Sequence, residues 1–341
     1  MNITYSESFA GIGAWGKAIR RVTERHNDTS ELQWYAEIDK YASNAFSAIH
    51  GVSENLNIWD ITKDIEVKPM DIFFYSPPCQ TFSIAGKREL TSVPKGNLFY
   101  DAVKFIKQTK PKYAIMENVR GLPSGDSKAD FNNMLWYLEE IGYVNYWQIL
   151  NTKDYGIPQN RERVFIVSIR KDLYDKGKRF EFPNKIKLEK KVKDYVNYEY
   201  EVPVRILESF NNKQGDFGER FNTLDGNGTF YTLTTKGCWG VITQNFYTRD
   251  LKKYTIKEII EKNIKVFGTS PLTNFHLQGF GTMDYFNAVD SYNKTFSKRG
   301  NQSDAQMRIR TGNSITVNVI EEILENLLYD RKQIGQQLNL F

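Results

Sequence analysis

The first 170 residues alternate short apolar runs with stretches of helical periodicity, and that alternation leaves few architectures open to the chain. The runs Ile3–Phe9, Leu32–Ala36, Asp71–Tyr75, Tyr113–Met116, Tyr143–Leu150 and Val164–Ile169 read as strands. Between them, Ala14–Arg25, Lys40–His50, Leu98–Gln108 and Phe131–Ile141 carry apolar residues at helical spacing. Such alternation predicts an α/β fold: a parallel sheet with helices on its faces. After Arg170 the pattern stops. Lysines, tyrosines and asparagines intersperse with turns such as Asp225-Gly226-Asn227-Gly228, which predicts a smaller, mostly β or irregular domain. The amphipathic stretch from Val317 to Tyr329 predicts a helix that packs back on the first domain. The expected domains are therefore 1–170 completed by 302–330, then 171–301, with 331–341 as a tail.

A chain of 341 residues, 40% hydrophobic and 14% aromatic, can bury a sizeable core. No stretch approaches the apolar length of a membrane span, and Met1-Asn2-Ile3-Thr4-Tyr5 lacks the character of a signal peptide. Only Cys79 and Cys238 are present, so no disulfide framework is expected and a reducing cytoplasm is the expected compartment. Three histidines and two cysteines without ligand spacing give no basis for a metal site. The net charge of +5 is concentrated: residues 171–270 hold 19 Lys+Arg against 14 Asp+Glu, and the remainder is balanced. That surplus suits a phosphate-contacting face and equally suits a solvated lysine-rich surface.

Two short segments carry chemistry. Ser76-Pro77-Pro78-Cys79-Gln80 ends an apolar run and holds a cysteine on a stiff double-proline turn. Glu117-Asn118-Val119 ends a second run with a carboxylic acid. A sulfur nucleophile and a proton donor are what attack on an electron-poor ring requires. A third segment, Phe9-Ala10-Gly11-Ile12-Gly13-Ala14-Trp15-Gly16, follows the first strand and opens the first helix. Its glycines with Glu37 also match a dinucleotide fingerprint, so this loop alone leaves an oxidoreductase open.

Taken in order, the proline–cysteine turn, Lys95-Gly96-Asn97-Leu98-Phe99, Glu117-Asn118-Val119 and Gln159-Asn160-Arg161-Glu162-Arg163 resemble the motifs of the cytosine-C5 DNA methyltransferases. The resemblance covers nearly the whole chain. It implies a Rossmann-like, S-adenosylmethionine-dependent methyltransferase sheet with a smaller target-recognition domain, acting on C5 of a cytosine flipped out of double-stranded DNA. Cys79 would attack C6, Glu117 would protonate N3, and Arg163 would contact O2. Pro78 would offer its carbonyl to the cytosine amino group, while Asn118, Gln159 and Arg161 would shape the pocket. Methylases acting on exocyclic amino groups carry an aromatic residue where Cys79 stands.

For the cofactor, the resemblance assigns Phe9, Ala10, Gly11, Ile12 and Gly13 to the first motif. It gives Glu37 the ribose hydroxyls, Asp60 the adenine amino group and Ile38 the adenine ring, and counts Ile61 and Pro78 among the cofactor-binding residues. Many relatives have an aromatic residue at the position of Ile38. Asn313 and Ser314, in a segment like the tenth motif, would reach the methionine end. Thr273 and His276 depart from the ninth motif, where an acid and an arginine are usual. Ser83, Lys87 and Arg88, in a loop like the family's mobile loop, and Arg205, Lys236 and Arg249 are expected DNA contacts.

The expected setting is a monomeric restriction-modification or prophage enzyme. Rival readings are a transfer-RNA methylase of the same fold and a catalytically silent DNA-binding regulator. Gln337-Leu338-Asn339-Leu340-Phe341 resembles the peptide by which bacterial replication proteins dock on the sliding clamp. At helical spacing, Ile334, Leu338 and Phe341 equally suit packing on the body.

Overall fold

The computed structural model describes residues 1–78, 97–191, 194–195, 222–223, 229–233, 240–241, 261, 269–296 and 304–329. Its contacts fall into two compact units. One comprises Met1–Leu150, Glu162–Asn184 and Val319–Phe341, the other Asn151–Arg161 and Lys185–Asn318. These cuts differ from boundaries at 170 and 301, because residues 151–161 and 304–318 group with the second unit.

The first unit is built on a six-stranded sheet. Its strands are β1 (Asn2–Ser8), β2 (Thr29–Ala36), β3 (Ile72–Tyr75), β4 (Tyr113–Val119), β5 (Tyr143–Asn151) and β7 (Glu162–Arg170), in the spatial order β2-β1-β3-β4-β7-β5. The predicted strands all form, most of them extended by a few residues. Strands β1 to β4 run parallel. β7 corrects the expectation of an all-parallel sheet: it lies antiparallel to β4, with Glu117 opposite Phe165 and Val119 opposite Arg163. The reason is the connection. A parallel return needs a crossover of a dozen or more residues, usually helical, and the stretch from β5 to β7 contains only a 3₁₀ turn and the two-residue strand β6 (Gln159–Asn160).

The helices are α1 (Ala14–Arg25), α2 (Lys40–His50), α3 (Leu98–Thr109) and α4 (Lys128–Glu140), each close to its predicted span. Local signals set their ends. Asp39 caps α2 by accepting from the amides of Tyr41 and Ala42, and Gly51 ends it in the left-handed conformation. Asn97 accepts from the Phe99 amide to start α3. Phe73, Tyr75, Phe99, Ile106, Ala114 and Met116 form the heart of one core layer. On the other face Trp15 stacks on Phe74 with ring centroids 4.9 Å apart.

The short α5 (Lys171–Asp175) follows β7, and the closing helix, numbered α9 (Val317–Tyr329), packs on α1 as its pattern predicts. It buries Ile320, Ile323, Leu324 and Leu327. Along the rim Arg21 and Arg25 reach Glu321 at 3.0 Å each, and Arg25 reaches Glu325 at 3.2 Å. His26 lies 2.8 Å from Glu325 and stacks on Tyr329. Partly exposed pairs of this kind are worth about 0–1 kcal/mol each, so the apolar face carries the docking.

In the second unit β6 pairs in parallel with β9 (Phe230–Tyr231), and β8 (Asn222–Thr223) with β10 (Gly240–Val241). The helices described in this unit are α6 (Pro271–Leu277), α7 (Thr282–Thr295) and α8 (Asp304–Asn313). The two departures from the ninth motif make neutral hydrogen bonds. Thr273 bonds the Tyr195 carbonyl at 3.1 Å, and His276 faces Thr282 Oγ1 at 3.0 Å. Burial holds the His276 imidazole below its usual range, with Lys190 adding to the effect.

One buried charge is unexplained by packing. Glu7, on β1, is fully buried, and its carboxyl lies beside the Gly16 amide and Arg20. Burial pushes its pKa up to about 8, only partly opposed by the Gly16 amide and Arg20. An acid raised above its unfolded value of 4.5 holds more protons when folded. Stability therefore falls as pH rises from about 4.5 to about 8. Glu7→Gln should flatten that decline in urea unfolding at pH 5, 6.5 and 8. An unchanged decline would show that another group causes it.

Candidate active site

The carboxyl ends of β1 to β4 share one edge of the sheet, and β1 lies between β2 and β3. The chain thus leaves β1 toward one side and later returns on the other, the switch point at which α/β sheets bind ligands. Because β7 runs antiparallel, its first residues also lie at this edge. Four segments far apart in sequence therefore meet there: the glycine loop, Glu37–Ile38, Ser76-Pro77-Pro78 and Glu117–Val119 opposite Arg163.

The glycine loop turns sharply. Phe9 and Gly11 have φ of 56° and 57°, and Gly13 caps α1 at 81°. A Cβ on Gly13 would lie 2.1 Å from His50 Nε2, so only glycine fits. His50 in turn faces the Ile12 carbonyl at 3.2 Å. A Cβ on Gly11 would meet no atom within 4 Å, which leaves open space above the loop. Ala10 donates to the Ala36 carbonyl at 3.1 Å and Gly11 to Glu37 Oε2 at 2.8 Å. The other Glu37 oxygen accepts from the Asp39 amide at 2.8 Å. Both carboxylate oxygens of Glu37 are thus held in place by backbone amides at the end of β2.

Beside it, Ile38 is 76% exposed, while Ile61 is buried in the core. Asp60 Oδ1 accepts from the amide and hydroxyl of Thr62, which hold its carboxyl below the usual range. Two residues without an expected role organise this segment. The buried Asn57 side chain accepts from the amides of Glu37 and Trp59 and donates to the Glu37 carbonyl. Trp59 has φ 59°, and Asp60 donates across it to the Ile58 carbonyl at 2.8 Å. A bulky residue held so costs about 1–3 kcal/mol. An aromatic residue next to Asp60 was a signal available in the sequence; no pattern marks Asn57.

At the proline turn, Trp15 Nε1 donates to Ser76 Oγ at 3.1 Å, and Asn118 Nδ2 donates to the buried Pro77 carbonyl at 2.9 Å. Asn118 Oδ1 accepts from the Val119 amide, so both ends of its amide are engaged. Trp15 belongs to the quoted glycine segment, yet its part in holding Ser76 is visible only in three dimensions. Glu117 is buried, with Arg163 Nε 3.0 Å from its Oε1. Arg163 also donates to the Glu162 carbonyl at 2.7 Å. Pro78 is exposed. Cys79, Ser83, Lys87, Arg88, Arg205, Lys236, Arg249 and Gln337–Phe341 lie outside the described residues.

The remaining candidates belong to the second unit. Buried Arg161 donates to the carbonyls of Leu233 at 2.8 Å, Ser314 at 2.7 Å and Gly312 at 3.3 Å. Gln159 donates to the Leu277 carbonyl and accepts from the Leu233 amide. The described bonds of both thus tie β6 to the Leu233 and 312–314 segments. Asn313 ends α8, exposed, and the buried Ser314 hydroxyl donates to the Ile315 carbonyl at 3.2 Å.

Asn118→Ala would leave the buried Pro77 carbonyl without its partner. The expected cost is about 1–3 kcal/mol in urea unfolding, and Asn118→Asp, which also lacks the donor, should cost at least as much. Two variants as stable as the parent would show that the bond does not hold the turn.

The model for C-5 cytosine-specific DNA methylases matches residues 3–329. The orphan methyltransferase M.SPRI of Bacillus phage SPR is 40% identical over 168 residues, 48% of this chain and 37% of that enzyme. The chain thus spans little more than a third of that relative's length. The type II methyltransferase M2.ScrFI of Lactococcus lactis subsp. cremoris is 31% identical over 280 residues, 80% of this chain and 71% of that one. Among solved structures, the Dnmt2 methyltransferase of S. pombe superposes with a TM-score of 0.68 at 17% identity, covering 97% of this chain and 99% of its own. That likeness is one of fold.

Proposed function

This chain belongs to the C-5 cytosine-specific DNA methylases, and we propose that it methylates C5 of a cytosine flipped out of double-stranded DNA, with S-adenosylmethionine as donor. The observation that carries the reading is the Glu117–Arg163 pair beside a Ser76-Pro77-Pro78 turn held by Trp15 and Asn118. Cys79 follows that turn directly in the chain.

The reaction then runs as follows. The Cys79 thiolate adds to C6, and Glu117 delivers a proton to N3, which relieves the charge entering the ring. In the pair Arg163 spends Nε on Glu117 and one further nitrogen on the Glu162 carbonyl; a guanidinium carries five N–H donors, so Arg163 can also serve the ring O2. Position C5 becomes a nucleophile and accepts the methyl group; loss of the C5 proton expels Cys79. Bound S-adenosylmethionine supplies an electrophilic sulfonium methyl. The glycine-loop edge suits it through the tight turn at Gly11 and Gly13 and the Glu37 carboxylate fixed beside it. In this reading Asp60 and Ile38 border the adenine, Ile61 and Pro78 also contact the cofactor, Asn313 and Ser314 serve the methionine end, and Gln159 and Arg161 act as positioning residues.

The basic segment 171–267 takes the role of target recognition, with Arg205, Lys236 and Arg249 on DNA, and Ser83, Lys87 and Arg88 contact the backbone near the flipped base. We place the protein as a monomer in the cytoplasm, in a restriction-modification or prophage setting. Gln337–Phe341 serves as a sliding-clamp peptide, which binding of a synthetic 331–341 peptide to the clamp at micromolar strength would support. Among the described residues no helix is long and apolar enough to cross a membrane.

Duplex DNA with 5-fluorocytosine in the recognised site should trap an adduct that survives denaturation, and Cys79→Ser should abolish it. Glu117→Gln should lower methylation of unmodified duplex by about 10²- to 10⁴-fold. Adduct formation by Cys79→Ser would overturn the nucleophile, and methylation of transfer RNA in place of duplex DNA would overturn the substrate.

A further inference from the structure

We propose that the Trp59 indole is the aromatic face against which the cofactor's adenine stacks; this rests on the methyltransferase reading above. The residue after Glu37 is the exposed aliphatic Ile38, which offers no π surface. Trp59 stands in the neighbouring segment. Its amide and that of Glu37 share one acceptor, Asn57 Oδ1, at 2.8 and 3.1 Å, so the two segments are fixed side by side. Asp60, the acid assigned to the adenine amino group, is the next residue along. Among the described residues Trp59 is 42% exposed, whereas Trp15 and Trp34 are 1% and 3% exposed. Its left-handed backbone is held by Asn57 and by the Asp60-to-Ile58 bond, a conformation that bulky residues rarely adopt. Strain of this kind persists where the surroundings over-determine it, and it clusters at ligand clamps. Adenine presents a flat π face, and aromatic stacking adds affinity beyond burial alone.

Binding of S-adenosylhomocysteine, measured by calorimetry without turnover, separates this proposal from the reading beneath it. Trp59→Leu should weaken binding about tenfold and Trp59→Phe about threefold or less, since phenylalanine keeps a π face. In the parent the ligand should quench long-wavelength tryptophan emission, and in Trp59→Phe that quenching should vanish. Urea midpoints identify any variant whose fold has failed, and Trp59→Phe then decides by fluorescence alone. A parent that does not bind the ligand would sink the methyltransferase reading. A parent that binds, with Trp59→Leu equally tight or with quenching intact in Trp59→Phe, would overturn the role of Trp59 and leave that reading standing.

Discussion

The reversed strand β7 is the constraint on which the site depends. Were it parallel to β4, its first residues would lie at the opposite end of the sheet, and Arg163 could not reach Glu117. Lying antiparallel, β7 sets Arg163 opposite Val119 and its guanidinium 3.0 Å from the buried carboxylate. The direction follows from the chain: no helix fits between β5 and β7, so no parallel crossover forms. An acid and a cation more than forty residues apart in sequence are thereby locked into one pair.

The same edge is stiffened by polar side chains bonded to backbone rather than to one another. Asn118 holds Pro77, Trp15 holds Ser76, Glu37 holds Gly11, and Asn57 holds both Glu37 and Trp59. Proline supplies no amide, so the proline turn cannot be tied by its own N–H groups, and its carbonyl becomes the handle. Such bonds fix where a reacting group sits, and a displacement near 1 Å can cost about a hundredfold in rate. Beneath the edge, buried Glu7 beside Gly16 shows that the first strand also accepts an electrostatic cost.

The two units divide the labour of the motifs in a way their spacing conceals. Gln159 and Arg161 stand only four and two residues before Arg163, yet their described bonds run within the second unit. The motif is split between β6, which ends at Asn160, and β7, which begins at Glu162 in another sheet, so adjacency in it is no guide to shared contact.

Periodicity by itself determined the strands and the five long helices of the catalytic half, including α9, because each apolar stripe has one way to be buried. The order of motifs pointed to the family whose model matches residues 3–329. What periodicity could not set was strand direction, because a buried strand shows the same apolar run whichever way it points; the missing crossover helix decided it. Nor could sequence reveal the partners of Asn57, Trp15 and Asn118, or the left-handed backbone of Trp59. Those depend on which backbone groups tertiary packing leaves without a strand or helix partner, and a buried amide or carbonyl must be satisfied by whatever side chain the fold brings within reach.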